Sequence, residues 1–355
     1  MHPPEAAAED GSLRRPVMLA GMHRFPARMA IALVAAALVA IWAAACGGDD
    51  DEPEATPETR TFEQAPDAAA DPQPGDFPRA SGRTMQDLAD LADPGFEAAP
   101  ATSHYVPGTN RFAFGVVSEG GEFVYGPTAV YVGRSPSSPA QGPFLAPSDS
   151  LVTEPAFRSK QAALEGDSIS SIYATELELP RPGDYSVLVL TRLGGELLGA
   201  TARVTVSAND PIPAPGEPAP DTETDTVAEV GGQIAEIDTR EPPDDMHETD
   251  FAEVVGERPV ALLFATPQLC QSRVCGPVTD IALQLKRDYG DEVEFIHQEV
   301  YVDNDPNKGL RPPLEAFSLP TEPWLFTVDA DGQVAARLEG SFGLGQFEDA
   351  IQAAL

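Results

Sequence analysis

The chain has 355 residues, enough for two ordinary domains with length left over for tails. Its 57 acidic residues against 22 Lys and Arg leave a formal net charge of −35. That balance argues against nucleic-acid binding, because no basic stripe is present to neutralise phosphates, and against docking on anionic lipid by charge alone.

Arg24 and Arg28 precede an uninterrupted apolar run from Met29 to Ala45, which ends in Cys46 and then GGDDD. A positive start, an apolar centre and small residues at the cut form the pattern of a secretory signal. The run is near the short end for a membrane-spanning helix, and either reading places the rest of the chain outside the cytoplasm. Its AAAC end resembles a bacterial lipoprotein lipobox, with Ala43 where leucine is usual. The resemblance implies cleavage before Cys46, lipidation of that cysteine and a lipid anchor in the cell membrane. Residues 1–45 are therefore read as an N-terminal extension and signal peptide. Of the three cysteines, Cys270 and Cys275 then remain as one pair, in a compartment where disulfides persist.

Residues 46–95 form an acidic, Pro/Ala-rich stalk that is too poor in large apolar residues to fold alone. A short helical patch is expected within it, at 85–92. From 100 to 208 the pattern changes to short strands, at 111–118, 129–133, 171–179, 185–192 and 199–207, separated by Gly- and Pro-rich turns. In the third of these, Tyr173, Thr175, Leu177 and Leu179 alternate with Ala174, Glu176 and Glu178, as in a half-buried strand. The phrases PGTNRFAFGVVSEGG and LELPRPGDYSVLVL resemble immunoglobulin-like modules of extracytoplasmic bacterial proteins. That implies a β-sandwich with a binding or spacer role. His104 stands alone and is expected as a solvated loop residue.

Residues 209–235 read as a Pro-rich acidic linker, semi-stiff by composition. Within 240–355, the continuous apolar run RPVALLFA (258–265) predicts a strand buried on both faces. The following PVTDIALQLKRDYG predicts a helix with Val278, Ile281, Ala282, Leu285 and Tyr289 on one face, Pro277 in its first turn and Gly290 at its end. A strand at 293–301, a hairpin around ADG and a terminal helix with Leu344, Phe347 and Ile351 inward complete the set.

The stretch LCQSRVCGPVT (269–279) carries the chemistry. A buried strand, Cys-Gly-Pro at a helix start, a second strand, a proline before a hairpin and a terminal helix together resemble a thioredoxin-like domain, over roughly residues 250–355. The fold class is thus expected to be multidomain, an all-β immunoglobulin-like sandwich followed by an α/β thioredoxin-like domain. The resemblance matches Cys275, Gly276 and Pro277 to the start of a Cys-Gly-Pro-Cys redox site, and Pro323 of TEPWLFTVD to the proline facing it. Val278 stands where the resolving cysteine would be, and the first strand offers no buried carboxylate to move protons.

The expected function is thiol–disulfide exchange on extracytoplasmic protein partners. Cys275 would attack, its pKa lowered by the helix start and by Arg273, while Cys270 resolves and Pro323 shapes the groove. The competing reading is a non-catalytic scaffold lipoprotein whose Cys270–Cys275 pair is a permanent disulfide. A copper site would use the C-x4-C thiols and His297 as third ligand. His297, however, shares a strand face with Phe295, Glu299 and Tyr301, as a packed histidine would. A peroxidase pattern fails because Thr266 precedes Cys270 by four residues rather than three. A calcium loop at 303–309 fails because Leu314 occupies the position of the bidentate Glu. No cofactor and no metal are expected.

Overall fold

The computed structural model describes residues 66–160, 169–270 and 274–355. The signal segment, Cys46 and Arg273 lie outside them. No helix among the described residues is long and apolar enough to cross a membrane.

The described residues from 96 to 206 supply eight strands: β1 (Phe96–Pro100), β2 (Gly108–Ser118), β3 (Thr128–Gly133), β4 (Gln141–Leu145), β5 (Ser148–Ser150), β6 (Ser171–Leu179), β7 (Gly183–Leu193) and β8 (Glu196–Val206). They form two four-stranded antiparallel sheets, ordered β1-β2-β6-β5 and β4-β3-β7-β8. Alternation decides which face each residue meets. Phe112 and Phe114 of β2 and Tyr173 and Leu177 of β6 meet Val130 and Val132 of β3 and Val187 and Val189 of β7 in one core. Glu176 and Glu178 point to solvent. Within that core Phe114 stacks on Phe112 at 4.9 Å and on Tyr173 at 5.4 Å between ring centroids.

Each sheet is covered on its other side as well. Two short helices, α1 (Pro66–Ala70) and α2 (Met85–Ala89), precede the strands. Thr84 and Asp87 form a capping box that fixes the start of α2. Phe77, Met85 and Leu88, from the end of the segment read as a stalk, pack on Tyr131, Leu188 and Leu190 of the second sheet. The reverse face of the first sheet, through Ala113, Leu151 and Ile172, joins the core of the C-terminal layer.

That layer contains α3 (Phe251–Val254), β9 (Val260–Phe264), α4 (Cys275–Tyr289), β10 (Glu294–Gln298), α5 (Pro312–Ala316), β11 (Trp324–Val328), β12 (Val334–Glu339) and α6 (Leu344–Ala354). Its sheet has the order β10-β9-β11-β12, with β9 and β10 parallel and the other two pairings antiparallel. As the apolar run predicts, β9 is buried on both faces. Ala261 and Leu263 face α4 and α6, with Val278, Ile281, Ala282, Leu285, Phe347 and Ile351. Val260, Leu262 and Phe264 face a second core of Phe251, Phe317, Trp324 and Phe326. The order of strand, helix, strand, hairpin and terminal helix is the one that the C-terminal sequence pattern implies.

Preceding chain shields both sheet edges, which would otherwise present unpaired backbone groups. On one side the Pro-rich connector runs beside β12, with Gly216 N–H donating to Val334 C=O at 2.8 Å and Val334 N–H to Glu217 C=O at 2.9 Å. On the other, His297 N–H of β10 donates to Met246 C=O at 2.9 Å. Polar contacts fasten the layers together. Arg111 of β2 donates to the Gln346 side chain at 2.8 Å and to Glu339 C=O at 2.8 Å. The two carboxylate oxygens of Glu339 accept the backbone N–H groups of Ser103 and His104, each at 3.0 Å. His104 is therefore not a solvated loop residue: its ring meets Asp210 at 2.9 Å and Trp324 edge-on.

Candidate functional site

Beyond the end of β9 the chain turns. Thr266 C=O accepts N–H groups from Leu269 at 3.2 Å and Cys270 at 3.1 Å, and this turn presents Cys270 beside the start of α4. Cys275 is the first residue of that helix, and Thr279 ties its carbonyl with a 2.8 Å hydroxyl hydrogen bond. The two thiols lie against each other. They differ sharply in access, since Cys275 is 0% exposed while Cys270 is partly exposed.

This burial corrects the expectation of a lowered Cys275 pKa. Burial first, and the adjoining Cys270 thiol second, push the Cys275 thiol well above its ordinary value. A helix N-terminus favours an anion by about 0.3–1 kcal/mol. Full burial shifts a titratable group by up to about 3–5 pKa units, at about 1.4 kcal/mol each. Packing against Val278 and Ile281 therefore outweighs the helix field.

Glu322 and Pro323 immediately precede β11, whose Trp324 pairs with Phe264 at the end of β9. The Glu322–Pro323 peptide is cis. Glu322 was not anticipated. Burial, and then the Cys270 charge, raise its carboxyl pKa. Tyr301 joins the same group, its hydroxyl pKa raised by burial and then by Glu322 and both cysteines. Glu322, just before β11, thus places a half-buried carboxyl near Cys270. The available signal was the Glu-Pro dipeptide of TEPW.

His297 does not complete a set with the thiols. Its Nδ1 meets Asp244 at 2.9 Å and its Nε2 meets Ala265 C=O at 3.1 Å. Among the described residues, the grouping with ligand atoms close enough to share a metal ion is Asp238, Asp244, His247 and His297, and neither cysteine belongs to it. The ring of His297 is fully buried. Burial lowers its pKa, but the Asp244 carboxylate more than offsets this and brings it up to about 9.

No protein-family model matches the chain, and no curated protein does. Solved structures do. The chain is similar to the thiol:disulfide interchange protein DsbE from Chlorobium tepidum, at 14% identity and a TM-score of 0.29, over 40% of this chain and 98% of that one. A thioredoxin-family thiol:disulfide interchange protein from Chlorobium tepidum TLS matches at 16% identity and a TM-score of 0.27, over 40% of this chain and 97% of that one. A thioredoxin-like superfamily protein matches at 12% and 0.27, over 38% of this chain and 96% of that one.

Proposed function

We propose that this chain is a membrane-anchored extracytoplasmic thiol–disulfide exchange protein, held through lipidated Cys46 and acting on protein partners through Cys270 and Cys275. The observation that carries the reading is the contact between a partly exposed Cys270 and a fully buried Cys275 at a helix start. Given these exposures we assign the roles the other way round from the sequence expectation, with Cys270 meeting the partner and Cys275 resolving. The sandwich, which we read as immunoglobulin-like, has a binding or spacer role in this reading.

In the forward direction, the Cys270 thiol gives its proton to solvent and the thiolate attacks one sulfur of a partner disulfide. That S–S bond breaks, and the partner's second sulfur leaves as a thiolate and is protonated by solvent. Cys275 passes its proton to the Glu322 carboxylate and attacks Cys270 Sγ. The mixed disulfide breaks, and the partner's first sulfur leaves with the proton returned from Glu322. The partner gains two electrons and two protons, and the Cys270–Cys275 pair loses them. Run in reverse, the internal disulfide oxidises a partner dithiol. Pro323 lines the groove beside the pair.

Complete burial of Cys275 also favours a second reading, a permanent Cys270–Cys275 staple in a binding lipoprotein. Single substitutions separate the two. If the pair turns over, Cys275→Ser accumulates mixed disulfides through Cys270, and Cys270→Ser accumulates none. A staple traps nothing in either variant and loses only stability.

A further inference from the structure

Residues 237–250 fold against β10 and bury four side chains that the thiol chemistry does not use. Asp238, Asp244, His247 and His297 are 3%, 7%, 1% and 0% exposed. His297 Nδ1 stands 2.9 Å from Asp244 Oδ2. His247 Nε2 stands 3.4 Å from Asp244 Oδ1 and 3.8 Å from Asp238 Oδ2. One donor atom from each residue falls within 4.8 Å of every other. Neither ring nitrogen of His247 makes a hydrogen bond, although the ring is closed off from solvent and faces two carboxylates.

We propose that these four side chains form a binding site for a divalent first-row transition-metal ion, zinc foremost. The site is independent of the cysteine pair and of the thiol–disulfide reading.

The spacing fits. Ligand atoms about 2.0–2.1 Å from a tetrahedral ion stand roughly 3.3 Å from one another. Three contacts in the cluster, at 2.9 to 3.8 Å with Asp244 engaged through both its oxygens, lie around that value, and one donor atom of each of the four residues is within 4.8 Å of the rest. The outer contacts fit too, since ligands in metal sites are held by hydrogen bonds from their far side. His297 Nε2 is engaged by the Ala265 carbonyl, which leaves Nδ1 to coordinate. Asp238 accepts backbone N–H groups from Arg240 at 2.7 Å and Asp244 at 2.8 Å, and Asp244 accepts that of Met246 at 2.9 Å.

Charge and donor type point the same way. When a dication displaces the Nδ1 proton of His297, two buried carboxylates and two neutral imidazoles are balanced by its charge, and the lone pair of His247 gains a partner. Two nitrogen and two oxygen donors without thiolate suit zinc, and cobalt as its spectroscopic stand-in, over copper(I). With four protein ligands and no open position, the site is structural. The ion would fasten residues 237–250 to β10. In the same segment Thr239 Oγ1 accepts Gln268 N–H at 3.1 Å, so the clamp also steadies the loop that carries Cys270.

The test uses the intact protein, stripped with a chelator and titrated with zinc against a chromophoric competitor, then with cobalt. One equivalent of each should bind. The cobalt spectrum should show d–d bands without the intense near-ultraviolet charge-transfer band of a thiolate ligand. Cys270→Ser with Cys275→Ser should keep the zinc affinity, and His247→Ala should weaken it at least tenfold. His247→Gln serves if the alanine variant does not fold, and the wild-type cobalt spectrum requires no variant. Absence of stoichiometric uptake overturns the proposal. So does a thiolate band, or binding lost with the cysteines and kept without His247.

Discussion

Arg240 donates through Nε to Asp280 Oδ1 at 3.0 Å, with both side chains buried. The pair joins the segment bearing Asp238 and Asp244 to the helix that opens on Cys275. Asp280 also accepts the Ser159 N–H at 2.8 Å and its hydroxyl at 3.1 Å. One carboxylate thus fixes where the helix and its first cysteine sit. Removing one partner of a buried ion pair strands the other and costs about 3–5 kcal/mol. Asp280→Ala should therefore lower the unfolding free energy by about that amount, and Asp280→Asn, which can still accept from Ser159, by less. Denaturant titration of the two variants checks the order.

The unequal exposure of the thiols predicts unequal modification. In the reduced native protein iodoacetamide should alkylate Cys270 and leave Cys275 untouched until the chain unfolds. Peptide mass spectrometry after a short pulse reads both sites. Rapid native labelling of Cys275 would show that its burial is not maintained in solution.

Glu322 is assigned the proton transfer between Cys275 and the leaving thiol. General acid–base groups contribute about 10²–10⁴-fold. Glu322→Gln should slow release of the mixed disulfide by at least about 10²-fold while leaving Cys270 alkylation unchanged. It should not reduce stability, because a half-buried carboxyl with a raised pKa is replaced by a neutral amide. A variant that exchanges at the wild-type rate removes Glu322 from the mechanism.

The raised pKa of Cys275 sets a pH dependence. In the unfolded chain the thiol ionises near 9.0, whereas in the fold burial keeps it protonated to higher pH. The folded state then holds more protons above that value, so stability is retained below it and lost as pH rises through it. The slope is at most about 1.4 kcal/mol per pH unit for one proton. Unfolding of the reduced protein on either side of pH 9 should show this component, and Cys275→Ser should lack it.

Much of the architecture was legible because single periodicities determined it. The 3.6-residue spacing of Val278, Ile281, Ala282 and Leu285 specified the buried face of α4. The two-residue alternation of Tyr173, Leu177 and Leu179 marked which face of β6 turns inward. The site was legible only in part. Cys270, Cys275 and Pro323 stood out by motif, but the burial of Cys275 depends on packing that its helix position does not encode. Glu322 is brought near the thiols only by the register of β11 on β9, 52 residues from Cys270 in sequence. Asp238, Asp244 and His247 lie in an acidic, Pro-containing stretch whose composition reads as surface chain. Their burial depends on β10 accepting that stretch along its edge.

The reduction potential of the Cys270–Cys275 pair tests the central claim most directly. Equilibration of the intact protein in graded redox buffers, followed by alkylation and mass spectrometry, measures it. A working exchange pair predicts a potential within the span of known thiol oxidoreductases, about −120 to −270 mV. A potential below about −300 mV would mark a structural disulfide and contradict the account.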